Sequence, residues 1–478
     1  MSLSLSPALR QTLVYGLGMV MMKGISLMML PVITGYIPPA QYGELELLVS
    51  LAALSSLLVE CGLSDAMFRF AGAQTSTQGR HQVSANAFGL ALIIGIVALI
   101  LGQWFAPQIA AWLPIETRTL NVRLILLAVA LGSCIGVPLA WLRMEGKAVQ
   151  FLYLSSGQAL IQAALVVWGL HAGYGVTGVL AAGAISAALL AIVLLSLHLR
   201  ACGVALNAAQ VRSLLMFGGP LIISGIAAFA LAGLDRWILA DQVGTAAMAP
   251  YAIAAKFALI AALVMQPYGM WWFSQRYRIV NAPDGKYAAA RFAGIGVALT
   301  IITSVAIGLG ASVVIRVLIP ASYHDALEYV PWLVLAMAIK GCADMLSLGC
   351  FIRRTGSMPM AVNLVAAGIG WCAYMFLIPG LGAFGAIYAL LLAQTARLFM
   401  FVYLGQRVLY LPYASNKLLA LGLVGVAVLS LGQIVSDVWQ QAAYAVLAAA
   451  MLLLLAVIMD ILPRPAAMWS GAARVQPQ

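Results

Sequence analysis

The sequence contains very little charge. Asp, Glu, Lys and Arg make up only 8% of its 478 residues, while 64% of the residues are hydrophobic and the mean hydropathy is +1.03. Soluble domains carry roughly a quarter of charged residues. The composition therefore excludes a soluble globular protein and is typical of an α-helical membrane protein that crosses the bilayer many times.

Several motifs that would supply chemistry are also missing. The six cysteines include no C-x2-C pair, so neither a zinc site nor a disulfide framework is expected. The four histidines are not spaced as metal ligands. The P-loop pattern G-x4-G-K-[ST] is absent, so ATP is not bound in that manner. We therefore expect no cofactor. Any energy that the protein uses should come from an ion gradient, the membrane potential or mass action.

A basic cluster is absent as well, although the formal net charge is +11. The Lys and Arg residues are scattered singly along the chain, whereas binding to nucleic acid requires a basic patch that neutralises several phosphates. This pattern excludes nucleic acid as a partner and is typical of the cytoplasmic loops of a bacterial membrane protein.

Long apolar runs predict an all-α protein with about fourteen transmembrane helices joined by short connections. These spans are 12–37, 42–63, 85–112, 120–142, 150–170, 175–199, 213–234, 247–272, 290–319, 327–350, 358–378, 383–404, 417–436 and 439–462. With both termini in the cytoplasm, seventeen of the 25 Lys and Arg residues fall on the inner side and four on the outer side. This bias indicates that orientation.

The positions of the spans suggest an internal repeat with an offset near 200 residues. Six helices per repeat give both halves the same orientation, so we expect two lobes related by an axis along the membrane normal, with a site between them. The predicted divisions are an N-terminal lobe at 1–204, a C-terminal lobe at 205–408, and a helix pair with a cytoplasmic tail at 409–478.

Four basic residues lie deep in predicted spans: Lys23, Lys256, Lys340 and Arg397. Facing lipid they would together cost on the order of 10 kcal/mol, so we expect them to line a hydrated cavity that attracts an anion such as a diphosphate. Two alternatives remain open. Lys340 lies one turn from Asp344 and can be neutralised by it, and Arg397 can extend to the inner interface. Lys23 and Lys256 have no acid one turn away on their own helices.

The acids Glu60 and Asp344 are the predicted sites for a coupling proton or sodium ion. Glu60 stands at the inner end of helix 2, where Asp65 and Arg69 follow with the spacing of a pair across one helical turn. This end of helix 2 is a candidate cytoplasmic gate. The alternative is an interfacial salt pair that anchors the end of a helix.

Prolines inside two spans are candidate hinges. Pro31 lies near the outer end of helix 1, and Pro220 follows two glycines in helix 7, the corresponding helix of the second lobe. A proline removes one helical hydrogen bond and bends the chain. These two helices are therefore predicted to bend during alternating access.

Two motifs resemble bacterial polysaccharide flippases of the multidrug/oligosaccharidyl-lipid/polysaccharide (MOP) exporter superfamily. Asp235 and Arg236 stand at the predicted end of helix 7, with Tyr251 and Lys256 in helix 8, as in the D-R and Y-x4-[KR] pattern of that family. The family pattern G-L-x-x-A-x-x-R after helix 2 is matched by Gly62, Leu63, Ala66 and Arg69. With the fourteen spans, the resemblance covers essentially the whole chain.

The resemblance implies a MOP-type fold and a flippase that moves undecaprenyl-diphosphate-linked oligosaccharide from the inner to the outer leaflet of the bacterial cytoplasmic membrane. Its product would serve O-antigen, capsule or exopolysaccharide assembly, and a polysaccharide polymerase and a chain-length regulator are implied partners beside membrane lipid. Together with the charges deep in the spans, this gives Lys23, Lys256, Arg236, Lys340 and Arg397 as candidate substrate-binding residues. Glu60, Asp235, Asp344 and Arg69 are the candidate ion-coupling or gate residues.

Three alternatives remain. A multidrug cation antiporter of the same superfamily typically carries an acid in helix 1, where this chain has Lys23. A polysaccharide polymerase or ligase, which would be an enzyme, usually carries a large outer loop with arginines, whereas every outer loop predicted here is short. A membrane scaffold without transport activity is compatible with the sequence.

The predicted topology is testable with single cysteines in a background without the native ones. Cysteines at Thr77 and Pro283 should react only with a reagent added from the cytoplasm, and cysteines at Gly173 and Gly380 only from outside. Labelling of either pair from the opposite side would mean that a span has been miscounted.

Overall fold

The computed structural model describes residues 7–352, 357–435 and 437–463, and all regular structure within these ranges is helical. The helices are α1 (Pro7–Tyr36), α2 (Pro39–Glu60), α3 (Leu63–Gly72), α4 (Thr77–Trp112), α5 (Thr119–Met144), α6 (Ala148–His171), α7 (Gly175–Ala201), α8 (Ala208–Ala232), α9 (Leu234–Val280), α10 (Gly285–Leu318), α11 (Ala326–Leu346), α12 (Leu348–Phe351), α13 (Ser357–Leu381), α14 (Ala383–Val408), α15 (Ser415–Gly432) and α16 (Val438–Ile458). The all-α fold is as predicted. The predicted cytoplasmic tail beyond residue 463 lies outside the described residues.

Twelve described segments are long and apolar enough to cross a membrane. One of them, Ala208–Phe273, is 66 residues long and as one continuous helix would measure about 100 Å, three times the apolar thickness of a bilayer. It comprises α8 and α9 and accounts for two predicted spans. The apolar part of α1, Met21–Tyr36, is shorter than the others. The protein is therefore a multi-pass membrane protein, with a span count close to the predicted fourteen.

The chain forms two compact units, Met1–Ala246 and Ala247–Gln478. This grouping places α8 in the first unit, whereas the repeat assigns it to the C-terminal lobe. The repeat-based divisions at 204 and 408 therefore stay a prediction. In the first unit, the core lies where α3, α4, α5 and α7 meet. Its largest buried side chains include Met67, Phe88, Trp141 and Leu194.

In the second unit, α10 is the central helix. Its buried face packs against α11, α15 and α16, and the core includes Val297, Val305, Leu309, Leu421 and Leu452. The C-terminal helix pair is thus bound to α10 within this unit. A smaller cluster of Ala343, Cys350, Val362 and Phe401 joins α11 to α14.

The junction of α8 and α9 differs from its prediction. Asp235 and Arg236 do not close the seventh predicted helix but lie in the first turn of α9, where a carboxylate is favourable beside the positive end of the helix dipole. The connection predicted between the spans 213–234 and 247–272 is reduced to one non-helical residue, Gly244, whose φ of 83° and ψ of 163° interrupt the helix. Only glycine adopts this conformation readily.

Both candidate hinge prolines lie inside helices, Pro31 in α1 and Pro220 in α8. Near Pro31, the Thr34 hydroxyl donates a hydrogen bond of 2.9 Å to the carbonyl of Leu30. The proline positions are as expected, and their part in bending stays a prediction.

The end of α2 approaches α8 very closely. Cys61 and Gly62 both adopt left-handed conformations and separate α2 from α3. The Cys61 carbonyl oxygen points at Gly218 of α8, so that a Cβ built on Gly218 would lie only 2.0 Å from it. The neighbouring Gly219 has no atom within 4 Å of its Cβ position. This junction therefore requires glycine at one of two adjacent positions.

Replacement of Gly218 and of Gly219 should distinguish the steric cost of an added methyl group from the helix preference of alanine. Gly218→Ala should lower the free energy of unfolding by about 1–3 kcal/mol, because the added methyl group overpacks the contact between α2 and α8. Gly219→Ala is the matched control and should be neutral or stabilising by up to about 1 kcal/mol, because alanine favours a helix. Unfolding of the purified protein in detergent measures both. Equal effects of the two substitutions would contradict the close approach.

Candidate functional site

A hydrogen-bonded group of charged side chains lies in the second unit, around Asp344 of α11. Arg397 of α14 donates from Nη2 to Asp344 Oδ1 at 2.7 Å and from Nε to Asn363 Oδ1 of α13 at 2.8 Å. The Arg397 guanidinium also lies 5.0 Å from the ring centre of Phe401. A carboxylate and an amide on two other helices therefore fix this arginine in one position.

Lys340 contacts the same carboxylate less closely. Its Nζ lies 3.5 Å from Asp344 Oδ2, and its side chain is 42% exposed, against 12% for Arg397. Charged hydrogen bonds usually measure 2.7–2.9 Å, so Arg397 is the main partner of Asp344. Two cations around one carboxylate leave a net positive charge, and Lys340 retains the donors with which to bind a further anion.

These positions settle two of the alternatives. The predicted pair of Lys340 and Asp344 is formed, but it is the weaker of two interactions. The extension of Arg397 to the interface is wrong, because its guanidinium is largely buried and bound by Asp344 and Asn363. A sequence pattern along one helix does not show a partner on another helix, so the dominant contact was missed.

Unsatisfied polar atoms remain beside this group. Arg397 Nη1 is enclosed and has no hydrogen-bond acceptor among the described residues. The Oε1 atom of Gln394, one turn earlier on α14, likewise has no donor among them. Buried polar atoms without partners are rare in folded proteins. Both atoms are therefore available to a polar ligand or to water.

Two cavities of different character adjoin this part of the unit. The first has a volume of about 290 Å³ and lies between α9, α10 and α11, with Lys340, Asp344, Gln266 and Thr300 among its lining residues. The second has a volume of about 680 Å³ and lies between α10, α11, α14 and α15, with an almost entirely apolar lining. Ser304 of α10 lines both cavities. A smaller, mainly apolar cavity that contains Lys340 and Asp344 thus adjoins a larger one that is almost entirely apolar.

The other predicted cations are placed separately. Lys23 is exposed on α1 in the first unit, and it forms no hydrogen bond or ion pair with the described part of the chain. Lys256 is half-buried in the second part of α9 and has an interaction partner. Their convergence on one cavity stays a prediction.

The D-R motif is largely buried. Asp235 is 4% exposed, Arg236 is half-buried, and both have interaction partners. The next residue, Trp237, donates to Ser50 Oγ of α2 at 3.0 Å, and the Ser50 hydroxyl donates in turn to the Gly233 carbonyl at 3.2 Å. The motif therefore lies where α2 is bonded to the junction of α8 and α9.

The gate candidates lie at the break between α2 and α3. Glu60 is the last residue of α2 and is exposed. The expected pair of Asp65 with Arg69 is not formed. The Arg69 guanidinium instead lies 4.7 Å from the ring centre of Phe217 on α8. A cation over a ring gains about 0.5–2 kcal/mol, which competes well with an exposed ion pair.

Two acids inside α2 were missed as intramembrane groups. Glu46 is 3% exposed. Glu44 accepts hydrogen bonds from Thr117 at 2.5 Å and Asn121 at 2.9 Å, and Asn121 accepts one from Thr177 of α7. The signal was present, since both glutamates fall within the span predicted at 42–63. The two predicted coupling acids are therefore not the full set of acids in the spans.

The model of the polysaccharide biosynthesis protein family matches residues 8–273, which is more than half of the chain. This chain belongs to the polysaccharide biosynthesis protein family. A comparison with curated proteins gives no match.

Solved structures show the fold that this family member shares. The lipid II flippase MurJ in an inward closed conformation has a TM-score of 0.76 at 11% identity, over 95% of this chain and 100% of MurJ. An inward-facing multidrug resistance MATE family transporter of the MOP superfamily has a TM-score of 0.58 at 14% identity, over 81% and 93% of the two chains. At such identities the likeness establishes the fold alone. The predicted MOP-type fold is confirmed.

The two cations of the Asp344 group should contribute unequally to stability. Arg397→Met should lower the free energy of unfolding in detergent by about 1.5–3 kcal/mol, the value of a hydrogen bond between charged groups. Lys340→Met should cost less than about 1 kcal/mol, because its contact is longer and more exposed. A larger loss for Lys340→Met than for Arg397→Met would contradict the assigned order of partners.

Proposed function

We propose that this family member is a flippase for polyprenyl-diphosphate-linked oligosaccharides. It would move undecaprenyl-diphosphate-linked repeat units from the inner to the outer leaflet of the bacterial cytoplasmic membrane by alternating access, with both termini in the cytoplasm. The product would serve O-antigen, capsule or exopolysaccharide assembly. A polysaccharide polymerase and a chain-length regulator are the proposed protein partners.

The observation that carries this proposal is the pair of adjoining cavities in the second unit. A lipid-linked sugar is an amphiphile with an anionic diphosphate between a polar head and a long apolar chain. The smaller cavity offers Lys340, with one net positive charge around Asp344, and charged donors are strong binders of phosphate. The larger, apolar cavity suits part of a prenyl chain.

The same observation argues against the main rivals. A drug cation would be repelled by a group with excess positive charge, and it would find Lys23 in place of an acid on α1. A multidrug cation antiporter is therefore the weaker proposal. The family is that of polysaccharide biosynthesis proteins, and the solved structures of similar fold are a lipid II flippase and a multidrug transporter. We accordingly propose transport and not catalysis.

Removal of the deep lysines tests the proposal. Lys23→Ala, Lys256→Ala and Lys340→Ala should each weaken binding of the diphosphate-linked substrate roughly ten- to hundredfold, because each removes a charged donor. They should stop polysaccharide export without reducing the amount of folded protein in the membrane. Lys256→Arg should retain part of the activity, because arginine keeps the charge and still bonds phosphate.

Lys286→Ala is the matched control, because Lys286 is an exposed lysine at the head of α10. It should leave export unchanged. Wild-type export by the double variant Lys23→Ala/Lys256→Ala, at a normal protein level, would show that these lysines are structural and that the cationic mechanism is wrong.

We propose in addition that a proton or sodium gradient drives the transport and that an acid within the spans binds the coupling ion. If Asp344 has this role, Asp344→Asn should abolish gradient-dependent transport in vesicles and leave substrate binding largely intact, because an amide cannot take up a proton or balance a cation. Full transport by both Glu60→Gln and Asp344→Asn would assign coupling elsewhere or favour facilitated flipping.

A further inference from the structure

Arg276, near the end of α9, is a second buried cation, and none of the described residues is an acidic partner for it. Its side chain is 5% exposed. The guanidinium lies 4.5 Å from the ring centres of Phe273 and Phe351 and 5.1 Å from that of Tyr277. Three aromatic rings thus surround it.

The hydrogen bonds of Arg276 are incomplete. Its side chain donates one hydrogen bond to a described residue, from Nη2 to the Tyr277 hydroxyl at a long 3.4 Å. That hydroxyl donates to the Phe351 carbonyl at 3.2 Å. The donors on Nε and Nη1 have no acceptor among the described residues. An enclosed charge without a counter-charge is strongly unfavourable, and the contacts to the rings offset only part of that cost. The cage of Phe273, Tyr277 and Phe351 therefore encloses the guanidinium, but the described residues supply no anion to it.

The position of the cage suggests what supplies the anion. The apolar stretch that includes the second part of α9 ends at Phe273, so Arg276 follows it by one turn and lies at the level of the lipid headgroups. By the predicted topology, this is the cytoplasmic face, whose lipids are rich in negative charge. Phe273 is 39% exposed and Tyr277 40% exposed. Rotation of either ring would open the guanidinium to a headgroup from the side.

We propose that Arg276 binds the phosphate group of an anionic lipid, held within the cage of Phe273, Tyr277 and Phe351. The guanidinium matches phosphate in geometry and charge, and its free donors meet the phosphate oxygens once a ring moves aside. The phosphate belongs to a bulk phospholipid or to a polyprenyl diphosphate, which share this chemistry. Phe273 also lines the smaller cavity that contains Lys340 and Asp344, so the cage adjoins that group, but the proposal does not depend on the proposed transport.

The test measures lipid binding to the full-length protein in detergent by native mass spectrometry. Phosphatidylglycerol, phosphatidylcholine, undecaprenyl diphosphate and inorganic phosphate are titrated in separate arms. Arg276→Met removes the cation, and Arg278→Met is the matched control, because Arg278 is an exposed arginine two residues later on the same helix. Phe273→Leu keeps the cation and removes one wall of the cage.

We expect Arg276→Met to weaken phosphatidylglycerol binding about tenfold or more, the factor that accompanies loss of a charged hydrogen bond, with little change in Arg278→Met. An Arg276-dependent preference for undecaprenyl diphosphate over phosphatidylglycerol would equally support a lipid phosphate and would identify its source. Equal losses in both arginine variants, or none in Arg276→Met, would overturn the proposal. Equally tight, Arg276-dependent binding of inorganic phosphate would overturn its assignment to a lipid.

Phe273→Leu provides a second test of the proposal if Arg276→Met does not fold. This variant should bind phosphatidylglycerol at least as tightly as the wild type, because the guanidinium is more accessible. If neither the wild type nor Phe273→Leu distinguishes phosphatidylglycerol from phosphatidylcholine, the cage only secures α9 against α12 and holds no lipid.

Discussion

An ionised side chain among apolar helices must find a partner, and this constraint governs the second unit. Arg397 and Asp344 satisfy each other across α14 and α11, and Asn363 of α13 takes the remaining Nε donor. One polar group thereby holds three helices in register. Because Arg397 is the main partner of the Asp344 carboxylate, the charge of Lys340 is only partly neutralised, and Lys340 lines a cavity. The same bonding that stabilises the helices creates the excess charge.

Elsewhere the chain meets the same constraint with aromatic rings. Arg69 lies over Phe217, and Arg276 is enclosed by three rings. A ring provides a negative face without introducing an acid, so a cation held in this way keeps its full charge. In a protein with an excess of basic over acidic residues, this arrangement leaves cations able to attract anions from outside the chain.

The fold was largely predictable because the signals for membrane helices are strong and local. Long apolar runs predicted nearly every long helix, and the gaps between these runs predicted the short connections. The site was less predictable, because its contacts join helices that are far apart in sequence. The bond from Arg397 to Asp344 spans 53 residues, and nothing along either helix indicates it. The connection around Gly244 was predicted in the right place but too long. Residues on both sides of Gly244 are helical, and the backbone conformation of this one residue makes the break.

The apolar cavity between α10, α11, α14 and α15 has a consequence for selectivity. Its lining offers almost no hydrogen-bonding atoms, and contacts between hydrocarbon groups have no preferred direction. The binding free energy on such a surface depends on how much hydrocarbon area is buried and not on the arrangement of the hydrocarbon. One methylene more or less changes the binding only modestly. If a lipid chain enters here, chains of different length or saturation would be accepted nearly alike, and discrimination between substrates would fall to the polar groups beyond Ser304.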